Sequence, residues 1–120
     1  MESILLVDDE PQMGSLVEMS LDGVKVVQAR SRKEALAAAK NVHPKLVLLD
    51  LALGREDGLD VLPSLRSEPS LNGVPVLVFS VHPSRRSEAI QAGADGFIAK
   101  PFRGEDLRTT INAHLTTARS

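Results

Sequence analysis

Ile4-Leu5-Leu6-Val7-Asp8-Asp9-Glu10-Pro11 is the stretch that decides the fold of this chain. Four apolar residues without alternation stop at three carboxylates and a proline. So short and unbroken a run reads as a strand buried on both faces, and covering both faces takes helices above and below a parallel sheet. Pro11 suits the first turn of a helix, where a missing N–H removes no hydrogen bond. Met13, Leu16, Val17, Ser20 and Leu21 follow at i, i+3, i+4, i+7 and i+8, which predicts a helix starting at Pro11 with these residues as its buried stripe.

Further apolar runs occupy residues 24–27, 46–49, 74–79 and 96–99, so five strands are expected. Only the second carries a charge, at Lys25, as suits an edge strand. Ser31 and Glu34 have capping-box spacing ahead of Ala35, Leu36 and Ala39. Leu59, Leu62 and Leu65 mark a third helix, residues 84–92 a fourth closed by Gly93, and Leu107, Ile111 and Leu115 a fifth. Strand and helix thus alternate five times. Right-handed crossovers then favour a flavodoxin-like (βα)5 doubly wound parallel sheet of strand order 2-1-3-4-5, with ligands at the carboxyl ends of the strands.

A length of 120 residues fits a single domain, residues 1–120. With 42% hydrophobic and 25% charged residues the chain has the composition of a folded globular unit. A net charge of −2 and 2% aromatic residues disfavour direct nucleic-acid binding. The absence of cysteine excludes disulfides, thiolate metal sites and cysteine nucleophiles. The first apolar run is too short for a signal peptide, and no run approaches the length of a membrane span, so a cytoplasmic location is expected.

Asp8 and Asp9 follow the first strand and Asp50 ends the third, so the fold brings three carboxylates to one rim. Such a cluster either takes up a proton or holds a cation, and oxygen-only ligation in a shallow site suits Mg²⁺. Ser80 and Lys100 end the fourth and fifth strands and reach the same rim from the other side. Metal, hydroxyl and ammonium around a carboxylate are what phosphoryl transfer to an aspartate requires.

On these segments, together with Asp57-Gly58-Leu59 and the run from Ala92 to Phe102, the sequence resembles the receiver domain of two-component response regulators along its whole length. The resemblance implies Asp50 as phosphoacceptor, and Asp8, Asp9 and Asp50 with the Ala52 backbone carbonyl as Mg²⁺ ligands. It implies Ser80 and Lys100 as phosphoryl-binding groups, Ser80 and Phe97 as switch residues, and a cis bond before Pro101. Its partners would be a histidine kinase or histidine phosphotransfer protein and an unnamed downstream protein, met through the fourth helix, fifth strand and fifth helix. The domain would assist its own phosphorylation and dephosphorylation without being an enzyme toward other substrates.

Departures from the family pattern carry expectations too. Gly54 stands where the family usually has a proline, which predicts a looser loop, and Val81 stands where it usually has Ala or Gly, which narrows the path to Asp50. His82 and the basic residues Arg30, Arg32, Lys33, Lys40 and Lys45 read as solvated surface, and Phe79 as core. An aspartate-dependent phosphatase would want Asp-x-Asp after its first strand, and a flavin carrier an anion cradle there; adjacent Asp8 and Asp9 fit neither. The remaining alternative is a receiver-like interaction module that does not switch by phosphorylation.

Overall fold

The computed structural model describes the backbone of residues 2–119 and the side chains of residues 2–115. Met1 and Ser120, the ends of the expected unit, lie outside the described residues. In chain order the elements are β1 (Glu2–Val7), α1 (Met13–Ser20), β2 (Val24–Ala29), α2 (Arg32–Val42), β3 (Leu46–Asp50), β4 (Ala52–Leu53), β5 (Glu56–Asp57), α3 (Gly58–Arg66), β6 (Val76–Ser80), α4 (Arg86–Gln91), β7 (Gly96–Ala99) and α5 (Gly104–Arg119). The main sheet is parallel, with order β2-β1-β3-β6-β7. Setting aside the small β4–β5 pair, this is the expected order 2-1-3-4-5. No described helix is long and apolar enough to cross a membrane.

Successive strand residues point to opposite faces, so each unbroken apolar run feeds two cores at once. Leu5, Val7, Val47, Leu49, Val76 and Val78 pack with Ala35 and Ala39 of α2, Val61, Leu62 and Leu65 of α3 and Ala89 of α4. Ile4, Leu6, Leu46, Leu48, Leu77 and Phe79 pack on the other face with Met13 and Val17 of α1 and Leu107, Ile111 and Leu115 of α5. Each large side chain so buried contributes about 1.5 to 3 kcal/mol. That rigid double core fixes where β1, β3, β6 and β7 end.

Several boundaries differ from those the sequence suggests. α1 begins at Met13, with Pro11 and Gln12 in a turn, and its buried stripe is narrower than expected, since Leu16 faces solvent. β2 runs two residues further, to Ala29, and the fourth main strand starts at Val76 because Val74 and Pro75 only lead into it. Residues Pro83–Arg85 form a 3-10 turn, so α4 is short. At the start of α2, Ser31 Oγ accepts the Glu34 N–H, whereas the Glu34 carboxylate reaches past the cap to accept the Arg30 N–H.

The β4–β5 hairpin was not foreseen. Ala52 pairs with Asp57 and Leu53 with Glu56, leaving Gly54 and Arg55 as a two-residue loop. Gly54 has φ +61° and Arg55 does not have positive φ, which is the type II′ pattern, with glycine in the first central position. Proline, locked near −65°, cannot take that conformation. Gly54 therefore shapes a tight hairpin here, in place of the looser loop expected. Glu56 Oε1 also accepts the Arg32 N–H at 3.0 Å, tying the hairpin to the start of α2.

Candidate functional site

Asp8 follows β1 directly, and its amide donates to the Ala29 carbonyl of β2. Its side chain is fully buried: Oδ1 accepts the Glu10 N–H at 2.8 Å, while Oδ2 has no partner. Burial pushes the Asp8 carboxyl up to about 6; the Glu10 N–H pulls it back and the neighbouring Asp50 carboxylate raises it further. Asp8, Asp9 and Asp50 each offer a carboxylate oxygen, all within 4.8 Å of one another. Crowded anions and a buried oxygen without a partner are what a divalent cation relieves, and the all-oxygen donor set matches Mg²⁺. The residues present fit the metal. Ala52, the expected carbonyl ligand, lies on the wall of the same cleft and donates its N–H to Asp50 Oδ1 at 2.9 Å.

Asp50, at the end of the central strand, is 3% exposed. Its Oδ2 lies 2.9 Å from Lys100 Nζ, and an ion this buried is tolerated only with such a partner. Lys100 is steadied from below by the Phe79 ring, whose centroid is 4.5 Å from Nζ, while Phe102 meets that ring edge-on. Phe79 is core, as expected, and is also a floor for the ammonium. The Lys100–Pro101 peptide is cis, and the Lys100 N–H donates to the Ser80 carbonyl. Ser80 Oγ is buried and accepts the His82 N–H at 3.0 Å.

These groups surround a cleft of about 430 Å³ whose walls include Asp9, Asp50, Ser80, Val81, Arg85 and Lys100. Val81 and His82 stand exposed at its mouth. Gly58 has a steric task behind it: a Cβ there would sit 2.5 Å from the Asp50 carbonyl oxygen and 2.6 Å from Leu51 Cα. Phe97 lies apart from the cleft, half-buried on β7 opposite Val78 and packed against the core on the α2, α3 and α4 face.

Asp8, Asp9, Asp50, Ala52, Ser80 and Lys100 therefore converge as the sequence suggests, and the basic residues 30, 32, 33, 40 and 45 are exposed. Two residues went unnoticed. Arg85 lines the cleft and grips both oxygens of Asp57, the N-cap of α3, at 3.2 and 2.9 Å. That guanidinium holds the Asp57 carboxyl below its usual range. Gln28 of β2 donates to the carbonyls of Asp8 and Glu10. A polar residue beside buried Ala29, at the strand end next to the acidic pair, was the available signal for Gln28.

The family model for the response regulator receiver domain matches residues 4–112. A probable transcriptional regulatory protein of Mycobacterium tuberculosis, TcrX, is 37% identical, over 94% of this chain and 49% of its own. The DNA-binding master transcriptional regulator RpaA of Synechocystis is 32% identical over 96% of this chain and 49% of its own. The chain thus spans about half the length of these relatives. Among solved structures, the receiver domain of NtrX from Brucella abortus is 34% identical with a TM-score of 0.86, covering 95% of this chain and 98% of that one. Chemotaxis protein CheY4 of Vibrio cholerae is 26% identical with a TM-score of 0.85, covering 95% and 98%. The chain belongs to the response regulator receiver domains, signalling modules of two-component systems whose members bind Mg²⁺ through acidic residues.

Proposed function

We propose that Asp50 accepts a phosphoryl group from the phosphohistidine of a histidine kinase or histidine phosphotransfer protein. A carboxylate oxygen of Asp50 attacks phosphorus, the P–N bond breaks, and the departing imidazole takes a proton. Water later attacks the same phosphorus, the P–O bond to Asp50 breaks, and inorganic phosphate leaves with the carboxylate restored. Asp8, Asp9, Asp50 and the Ala52 carbonyl would hold Mg²⁺, which would supply positive charge against the phosphoryl oxygens. Lys100 releases its carboxylate partner to bind a phosphoryl oxygen, and Ser80 supplies a hydroxyl to another. Catalysis is positioning and electrostatics, so the domain assists its own modification without being an enzyme toward other substrates.

Turning Ser80 toward the phosphoryl group would break its bond to the His82 N–H and free the segment leading into α4. Phe97 could then repack, shifting the α4, β7 and α5 surface between two states read by a downstream protein. On this reading residues 1–120 act as one cytoplasmic unit that does not itself touch nucleic acid.

The observation that carries the proposal is the double engagement of Asp50: paired with Lys100 at 2.9 Å and clustered with Asp8 and Asp9 within 4.8 Å. Incubation with acetyl phosphate and Mg²⁺ should add one acid-stable, base-labile phosphoryl group, and Asp50→Asn should abolish it. Undiminished label in that variant would overturn the assignment.

A further inference from the structure

The segment that carries Asp8 beneath the cleft and Asp9 into its wall is a loop, yet it must hold carboxylates that repel one another. Its three peptide units are all bonded. Between Asp9 and Glu10, the N–H donates to Asp8 Oδ1 and the carbonyl accepts from Arg30 Nη2 at 3.1 Å. The units on either side share one side chain, that of Gln28, while the Glu10 carbonyl also accepts the Met13 N–H at 3.2 Å. Gln28 Nε2 donates to the Asp8 carbonyl at 2.7 Å and to the Glu10 carbonyl at 2.8 Å, while its Oε1 accepts the Gly14 N–H of α1 at 3.2 Å.

We infer that Gln28 is the positioning residue of the metal site, holding the Asp8–Asp9–Glu10 backbone in the geometry that ligation needs. The inference rests on the metal reading above and deepens it. Only a neutral amide fits the position, because two of its neighbours are acceptors and one is a donor. A flipped amide would set oxygen against two carbonyl oxygens, and a glutamate would do the same while adding another negative charge. Gly14 belongs to the device, since a Cβ there would come within 2.8 Å of Gln28 Oε1. With that side chain in place β2 and α1 clamp the loop from two directions; without it, the Asp8 carbonyl loses the Gln28 amide and the Glu10 carbonyl keeps only the Met13 N–H.

Two variants test this by different routes. Gln28→Leu keeps the bulk and removes every hydrogen bond. Gly14→Ala leaves Gln28 present but pushes its amide aside, and alanine favours a helix over glycine, so helix loss cannot explain its effect. Calorimetry with Mg²⁺ alone should show affinity about tenfold weaker for Gln28→Leu, the usual scale for losing a group that orients metal ligands. The loss should be smaller for Gly14→Ala, and the double variant should be no weaker than Gln28→Leu. In acetyl phosphate labelling the half-saturating Mg²⁺ concentration should rise by the same factor, with an unchanged rate at saturation. Wild-type affinity in both single variants, with only a lower melting temperature, would overturn the positioning role while leaving the metal site standing. Wild-type protein that binds no Mg²⁺ would overturn both.

Discussion

The two walls of the cleft are built differently. On the acidic wall every peptide from Asp8 to Glu10 is tied to a side chain, and Asp8 is sealed from solvent. The opposite wall, residues 81–85, is mostly exposed and hangs on the Ser80–His82 bond and the ion pair between Arg85 and Asp57. One wall is fixed in advance by these bonds. The other is held by few bonds, and elements that move are drawn from such weakly held parts.

The pre-built wall should carry the larger energetic signature. Asp8 titrates near 6 when folded, against 3.8 for an unperturbed carboxyl, so the folded state binds this proton more tightly. That contribution favours folding in full below about pH 4 and is lost as pH rises through about 6, leaving a cost of about 3 kcal/mol at neutral pH without metal. Metal-free Asp8→Asn should therefore be more stable than wild type at pH 7.5 by up to about 3 kcal/mol, with the gap closing toward pH 4. Mg²⁺ should stabilise wild type and narrow the gap at pH 7.5. Urea melts at the two pH values decide it: a gap independent of pH would mean that the wall stores no strain.

What was legible in the sequence follows the same division. Buried strands announce themselves because covering both faces demands an unbroken apolar run, and Asp8, Asp9, Asp50, Ser80 and Lys100 are legible because they end such runs. The β4–β5 hairpin is not legible, since two-residue strands have no period to detect, and Gly54, which in sequence suggests a loose loop, makes a tight turn through its positive φ. Gln28 looked like any polar residue on an edge strand. Arg85 finds Asp57 28 residues away, across a turn whose direction local sequence does not reveal. Leu16 followed helical spacing, but the face it occupies turns to solvent.

An intermediate effect should come from Val81, 58% exposed on the movable wall. If its branched side chain obstructs in-line approach, Val81→Ala should speed both acetyl phosphate labelling and hydrolysis of the acyl phosphate, by up to about tenfold, or about 1.4 kcal/mol of barrier. Parallel gains in both rates would show that access limits both reactions. Unchanged rates would mean the movable wall leaves the path open.

The smallest effect on stability should come from Arg85→Gln, and it separates the walls most sharply. The Asp57 carboxyl is held low chiefly by its hydrogen bond from Arg85, so the pair's contribution is present above the ordinary carboxyl range and fades as pH falls through the lowered value. Both side chains reach solvent, at 24% and 43% exposure, where an ion pair is worth about 1 kcal/mol or less. The variant should lose no more than that in urea melts near pH 7 and match wild type in acid. Its amide exchange should rise across residues 81–86 while residues 8–14 keep their protection, because the pair anchors only the movable wall. A loss above about 2 kcal/mol, twice what such pairs give, or faster exchange on both walls, would make Arg85 a strut of the whole site and erase the distinction.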